Sequence, residues 1–535
     1  MKDLTDVERV YLYHDGTKHH FNRFAPSLGY LDWASQPRPF RSFDGAPVFG
    51  FHAGLDPPGP ATDVTAAGIG HFLRYSLGLS AWKVFKGSRW SLRVNPSSGN
   101  LHPTEAYIVA GPLTEFGGTP GVWHYAPDRH VIERRCVFER AAWDLAGIGE
   151  ATEAFIVALT SIHWRESWKY GERAFRYCQH DLGHALAALG LSASMLGWRL
   201  TMLPAWPQRA VGTLIGIDRD EDYVEAEREE PACALLVTRP LDRRVRLQPD
   251  LRFLAAVRDG RWFGRASQLS EDHVAWIFID EVARATEDPG RPEVRLKADP
   301  TKDAAKDAAR NAYPAKIILQ RRSAVALDGV SFTDRGKFLR MLSRVMPGPG
   351  APWDAQWWSP RIHLALFVHR IEGIVPGLYI LVREASAVPR LKAAFHREFV
   401  WAPAADDVPL WLLQAGDYRS RSQRVSCDQD IAADGFVSLG MIADFDASLD
   451  EFGPSFYRHL FWESGIVGQV LYLEAEAAGT RATGIGCFYD DPVHDLLGLT
   501  GHAFQSLYHF TVGMPIEDAR LTTEPGYSWE KSGRL

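Results

Sequence analysis

Three short segments gather side chains able to bind a polar, phosphorylated molecule. Asn95-Pro96-Ser97-Ser98-Gly99-Asn100-Leu101-His102-Pro103 is dense in hydroxyls, amides and turn formers. Such a loop suits a polar heterocycle, and equally a plain turn and N-cap. Gln320-Arg321-Arg322-Ser323 sets two guanidiniums side by side. They can hold a phosphate by paired hydrogen bonds, although adjacent arginines are more often solvated. In Thr483-Gly484-Ile485-Gly486-Cys487-Phe488, two glycines permit close backbone approach to a flat ligand, or simply a turn. His180 and His184 stand four residues apart without a third ligand in view, so no metal is expected. The motifs GxxxxGKS/T, HExxH and GxSxG and a complete GxGxxG after a strand are missing, which argues against P-loop, zincin, α/β-hydrolase and Rossmann chemistry.

The elements that must position these segments come in two sets. Phe175, Cys178, Leu182, Ala185, Leu186 and Leu189 recur at three- and four-residue steps, predicting a core helix within 171–197. Leu460, Ser464, Val467, Gly468, Leu471 and Ala475 predict a second. Strand-like runs surround 106–110, 232–237, 364–368 and 378–382. Helices around a few strands predict an α+β sandwich in each set.

The sets are related by an offset of 282. It carries Arg176, Gly183, Leu189, Leu191, Ala193 and Gly197 onto Arg458, Gly465, Leu471, Leu473, Ala475 and Gly479. It continues without a gap from Leu214-Ile215-Gly216-Ile217 to Leu496-Leu497-Gly498-Leu499. One ungapped offset that keeps an arginine, glycines and apolar positions together points to internal duplication. The period is far longer than a solenoid unit, so two domains are expected, at 1–285 and 315–535. Between them 286–314 is rich in Pro, Ala and charge with no aliphatic stripe, and reads as a linker.

Composition narrows the partners. The 535 residues exceed what one core usually serves, and 46% hydrophobic with 23% charged residues is a globular balance. A net charge of -7 argues against a nucleic-acid binder. No stretch approaches the roughly 20 apolar residues of a membrane helix. The start Met1-Lys2-Asp3-Leu4-Thr5 lacks an apolar core for export, and five scattered cysteines without a CxxC pair suit a reduced compartment. A cytoplasmic protein is expected.

Taken in order, the segments resemble the nitroreductase-like flavoproteins, closest to the SagB/ThcOx-type dehydrogenases that contain the azoline oxidases. The resemblance rests on Tyr13-His14 with Thr17-Lys18-His19-His20, Gly29-Tyr30-Leu31-Asp32-Trp33, Asn95 to Glu105, Lys169-Tyr170-Gly171-Glu172-Arg173 and Arg321-Arg322-Ser323. Gly468 to Ala475, Gly484 to Asp491 and Leu507 to Arg520 complete it, covering nearly the whole chain outside the linker.

It implies two fused nitroreductase-like domains forming an intrachain pseudo-dimer, with FMN at their interface. Arg321, Arg322 and Ser323 would hold phosphate and ribityl, joined by Arg520. Asn95, Pro96, Ser97, Ser98 and Asn100 would face the flavin, and Gly484, Ile485 and Gly486 would pass its edge. Lys169 and Tyr170 match the pair that azoline oxidases use: a desolvated lysine as general base, and a tyrosine to position the ring. Simple nitroreductases carry a lysine where this chain has Val325. The offset sets Lys169-Tyr170 against Glu451-Phe452, and Gly484-Ile485-Gly486 against Met202-Leu203-Pro204. Each copy keeps the half-site that the other lacks, so one FMN per chain is expected.

The substrate expected is a small-molecule or peptide-borne azoline-like ring, with oxygen re-oxidising the flavin. The alternatives are an NAD(P)H-dependent nitroreductase-like enzyme and a flavin-sequestering protein without turnover. Further oligomerisation is left open.

Overall fold

The computed structural model describes residues 4–51, 62–147, 154–239, 248–294 and 312–532. Most of the expected linker, 295–311, lies outside the described residues. Two antiparallel sheets carry the mixed α+β architecture. In sheet one the order is Arg261–Trp262, Val131–Val137, Gly121–Ala126, Thr104–Ala110, Ala154–Ser161, Glu230–Thr238 and Arg199–Met202, with Val48–Gly50 also on Val131–Val137. In sheet two it is Ala402–Pro403, Leu410–Ala415, Gly377–Leu381, Ile362–Val368, Val437–Asp444, Phe504–Gly513 and Arg481–Ile485. Inner strands are buried on both faces, so Ala154–Ser161 and Ile362–Val368 read as near-continuous apolar runs, while Phe504–Gly513 buries Gln505, Ser506, His509 and Thr511 as well.

Two 22-residue helices, Ala174–Met195 and Phe456–Ala477, pack against each other between the sheets. A single apolar core joins them to Ile108, Val157 and Leu235 of sheet one and to Leu364, Leu366 and Leu439 of sheet two. Separate clusters cover the outer sheet faces. The two central helices stop alike. Gly197 (φ 74°) and Gly479 (φ 76°) turn left-handed, so the next amide reaches back to Ala193 O at 2.8 Å and Ala475 O at 2.9 Å. Where the helices cross, a methyl on Gly183 would fall on the Trp462 carbonyl, and one on Gly465 on the His180 carbonyl. Only glycine permits that approach.

Adding 282 to the bounds of His163–Tyr170, Ala174–Met195 and Gln208–Ile215 gives those of Phe445–Phe452, Phe456–Ala477 and Asp490–Leu497. The register fails after that, because the loop from Gly216 to strand Glu230–Thr238 is longer than its counterpart before Phe504–Gly513. Arg176 donates to Asp490 at 2.8 Å, and its offset partner Arg458 to Glu230 at 3.0 Å, so each arginine reaches into the other half of the chain. The termini cross over as well. From helix Asp6–Gly16, Tyr11 donates to Asp446 at 2.7 Å and the His14 ring meets Gln505 at 2.9 Å. Strand Thr522–Pro525 in turn pairs with Leu79–Phe85.

Candidate functional site

A cavity of about 660 Å³ opens where the halves meet. Its walls come from the loop at 95–100, the first central helix, the strands Leu79–Phe85 and Ser88–Arg93, the segment after helix Ala315–Gln320, and strand Arg481–Ile485. Asn95, Pro96, Ser97, Ser98, Asn100, Tyr170, Arg321, Arg322, Ser323, Gly484, Ile485 and Gly486 all line it. Lys169 stands at its edge, with Nζ 3.3 Å from where a Gly99 Cβ would lie and 5.3 Å from the Tyr170 ring centre. Arg520 is not brought in. Its side chain is 74% exposed and its guanidinium pairs with Asp518 at 2.8 Å, while Asp518 itself is at the cavity wall. The neighbours Ala519 and Leu521 both line the wall, but the Arg520 side chain lies against Phe85 instead.

The cationic end is built on burial. Helix Ala315–Gln320 ends at Arg321, whose next residues are stitched to the neighbouring strand by Ala324 N–H to Ala482 O at 3.0 Å and Thr483 Oγ1–H to Ala324 O at 2.6 Å. Arg321 is 3% exposed, donates one amine to Arg93 O at 3.2 Å, and has Nε and Nη1 with no partner. Unpartnered buried donors are costly, and a bound anion would satisfy them. Burial lowers the Arg321 pKa, and burial aided by the Arg321 charge brings Arg322 to about 10. Arg322 spends its fork on Leu319 O at 2.8 Å, Arg321 O at 2.6 Å and Ser80 O at 3.2 Å, so it buttresses the turn rather than reaching inward. Two further cations on the wall, Lys83 and Arg481, were not singled out from sequence. Their strands meet only in the fold, so no local pattern marks them.

The middle is shaped by tyrosines and glycines. Tyr472 OH meets Ser323 Oγ at 2.9 Å and accepts the Gly484 N–H at 2.9 Å. A methyl on Gly484 would overlap the Tyr508 hydroxyl, and one on Gly486 the Tyr177 ring. Tyr508 is itself held, stacked on His180 at 4.1 Å and 3.3 Å from His184 Nε2. The histidine pair therefore packs on a tyrosine. Burial keeps both rings neutral, His184 at about 3. Among the described residues no group of three His, Cys, Asp or Glu could hold a metal.

The far end is acidic. Gly99, Asn100 and His102 all take positive φ, which turns the serine loop sharply onto the first central helix. The Ser98 amide donates to Asp181 at 3.1 Å, and so does its hydroxyl. Ser97 Oγ accepts the His102 amide at 2.7 Å and donates to Glu166 at 3.5 Å. Glu166 and Asp181 are buried within hydrogen-bonding reach of each other once one is protonated. Burial, then the Asp181 charge, pushes Glu166 well above the carboxylate range. Burial pushes Asp181 up to about 7 against the pull of the serine hydrogen bonds. The pair holds a proton at neutral pH beside the serines. Sequence carried one usable signal for it: the offset sets Asp181 against Glu463, an acid at the same turn of both central helices.

The offset-related crossing is filled instead. There Glu463 is consumed by Trp358 Nε1 at 3.0 Å, the amides of Arg361 and Ile362, and Arg383. Trp357 packs edge-on to Phe452 at 5.4 Å, and Arg291 lies over the Trp357 ring at 5.4 Å. Phe452 is the offset partner of Tyr170, and Trp357-Trp358 occupy the stretch before strand Ile362–Val368, as the serine loop precedes Thr104–Ala110.

The whole arrangement is similar to a solved structure, that of a "putative nitroreductase" from Anabaena variabilis, at TM-score 0.69 over 95% of this chain and 99% of that one, with 20% identity. Its fold is nitroreductase-like. In sequence, 141 residues are 26% identical to a protein of the same name from Methanocaldococcus jannaschii, covering 26% of this chain and 67% of that protein. A further 135 residues are 30% identical to the trifolitoxin-processing protein TfxB of Rhizobium leguminosarum bv. trifolii, covering 23% of this chain and 35% of that protein. No family model matches the chain. The nitroreductase-like fold thus extends over both halves, and among the described residues no helix is long and apolar enough to cross a membrane.

Proposed function

We propose that the chain is an FMN-dependent oxidoreductase of the SagB/ThcOx type that dehydrogenates an azoline-like ring, small or peptide-borne. One observation carries the reading: a single cavity has unpartnered arginine donors at one end and the Lys169-Tyr170 pair with a proton-holding carboxyl pair at the other. Similarity to a trifolitoxin-processing protein supports a peptide-borne substrate.

The wall fits FMN by its donor chemistry. The free Nε and Nη1 of Arg321 suit a phosphate, with Lys83 and Arg481 near enough to add charge, and Ser323 suits a ribityl hydroxyl. Gly484 and Gly486 let Tyr508 and Tyr177 press against bare backbone, and all four residues line the wall a flat ring system would meet. FMN, when bound, supplies the acceptor for a hydride. The chain's own residues do the rest. Tyr177 and Tyr508 wall off water, and Tyr170 orients the ring to be oxidised. Lys169 takes the ring proton, and the Glu166–Asp181 pair, reached through Ser97 and Ser98, accommodates it.

The chain would act as an intrachain pseudo-dimer of two domains, about 1–285 and 315–535, with one site. The plugged crossing at Trp357, Trp358 and Arg291 favours one FMN per chain over two. Absorption of the purified chain, with FMN quantified after denaturation, tests this directly. About one FMN per chain is expected; none after reconstitution would overturn the assignment. Lys169→Ala and Tyr170→Phe should keep the flavin and lose dehydrogenation. Rapid anaerobic bleaching of the flavin by NAD(P)H, with unchanged rates in both variants, would move the reading to a nitroreductase-like reductase.

A further inference from the structure

The cysteines looked unrelated along the sequence, but two of them meet in the fold. Cys427 and Cys487, sixty residues apart, bring their sulfurs into contact at 2.7 Å. Cys487 lies on the cavity wall immediately after Gly486. Cys427 sits in the turn between helices Arg419–Val425 and Ile431–Asp434. That turn is held in an uncommon shape, with Cys427 and Asp428 both at φ 56°. The Gln429 side chain fixes it in place, donating to Ser426 O at 2.8 Å and Cys487 O at 3.1 Å.

Both thiols are partly accessible, whereas Cys136, Cys178 and Cys233 are buried and unpaired. Burial pushes Cys136 and Cys233 up to about 12, which leaves them inert. The contact differentiates the pair. Cys427 is pushed up, and Cys487 is pulled down by its neighbour and by the Arg173 guanidinium. Arg173 reaches the Gly486 carbonyl at 3.4 Å and lies over the Phe488 ring at 4.8 Å. Asp490 faces the same spot and opposes the effect, while Tyr177 and Tyr489 border it uncharged.

We propose that Cys427 and Cys487 form a redox-active dithiol on the cavity wall that closes by exchange with low-molecular-weight disulfides. The Cys487 thiolate attacks one sulfur of the disulfide RSSR, and the first RSH leaves with a proton. The Cys427 thiol then gives up its proton, displaces the second RSH and closes the bond. In sum RSSR and two protein thiols become one protein disulfide and two RSH: the protein is oxidised by two electrons and the small disulfide reduced. Closure ties the turn carrying Gln429 to the strand end carrying Gly486, so it fixes one wall of the cavity. This assignment does not depend on the flavin reading.

The test uses the full chain, reduced, desalted and treated with oxidised glutathione, then acid-quenched, alkylated and mapped by mass spectrometry. Two of the five cysteines should escape alkylation and appear as a Cys427–Cys487 cross-linked peptide that dithiothreitol reopens. In Cys427→Ser, Cys487 should trap glutathione as a mixed disulfide, and in Cys487→Ser no trapping should occur. Five alkylated cysteines, or a bond through Cys136, Cys178 or Cys233, would overturn the proposal. Trapping on Cys427 alone would overturn the order of attack.

Discussion

Replacing Asp181 by asparagine tests whether the acidic end of the cavity holds a proton. In the unfolded chain this carboxyl ionises near 3.8, and in the fold burial raises it to about 7. A tenfold change in proton affinity is about 1.4 kcal/mol, so holding the ionised form in the fold costs roughly 4 kcal/mol. The sign follows from proton counting. Between pH 4 and 7 the folded state binds a proton that the unfolded state has lost, so stability falls as pH rises through that window and levels off above it. Glu166 is displaced in the same direction by the same burial, and the two carboxyls titrate as a pair. Asparagine stays neutral throughout and can still accept the Ser98 amide, whose present distance is 3.1 Å. Urea unfolding followed by tryptophan fluorescence at pH 5 and pH 8 reads the difference. Wild type should lose about 2–3 kcal/mol more than Asp181→Asn across that interval, most of the roughly 4 kcal/mol remaining to be lost above pH 5. Groups elsewhere titrate identically in both proteins and cancel. Parallel pH dependence, within about 0.5 kcal/mol, would mean that Asp181 is ionised at neutral pH and is not the carboxyl that stores the proton.

Three further outcomes are expected. Arg321→Ala should weaken FMN binding by about 10- to 150-fold in fluorescence-quenching titrations, the value of a hydrogen bond to a charged group, while leaving the fold intact by circular dichroism. Gly484→Ala should destabilise the chain by about 1–3 kcal/mol in urea, because the added methyl meets a tyrosine pinned by His180 and His184. Arg520→Ala should change FMN affinity by less than about threefold, since its exposed pair with Asp518 is worth little and its guanidinium faces away from the cavity.

The central helices were legible because a buried helix must repeat its apolar steps, and the 282 offset preserved even their stop glycines, Gly197 and Gly479. The loop at 95–100, the Arg321–Ser323 turn and the Gly484–Gly486 strand end were legible as local clusters, and the fold sets them on one cavity. Tyr472 and Tyr508 fell inside segments of the resemblance but carried no role there. Lys83 and Arg481 were not legible, because each is an ordinary residue on a strand and gains meaning only from its neighbours across the fold. The same reason hid the Cys427–Cys487 contact, which spans sixty residues. Arg520 stands apart from the rest of that expected set: its side chain is exposed and pairs with Asp518, a local geometry that the motif alone does not encode.

The glycines at the helix crossing carry one more implication. In an assembly of two identical chains, any substitution at such a position appears twice, face to face with its own copy. In this chain the facing residues are Gly183 and Gly465, separately encoded, as are Tyr170 and Phe452 or Asp181 and Glu463. Each side can therefore drift alone, so one cavity can be bricked up with tryptophan while its twin stays open. Encoding the two sides at separate positions frees the molecule from symmetry, and a dedicated front and back become reachable by single substitutions.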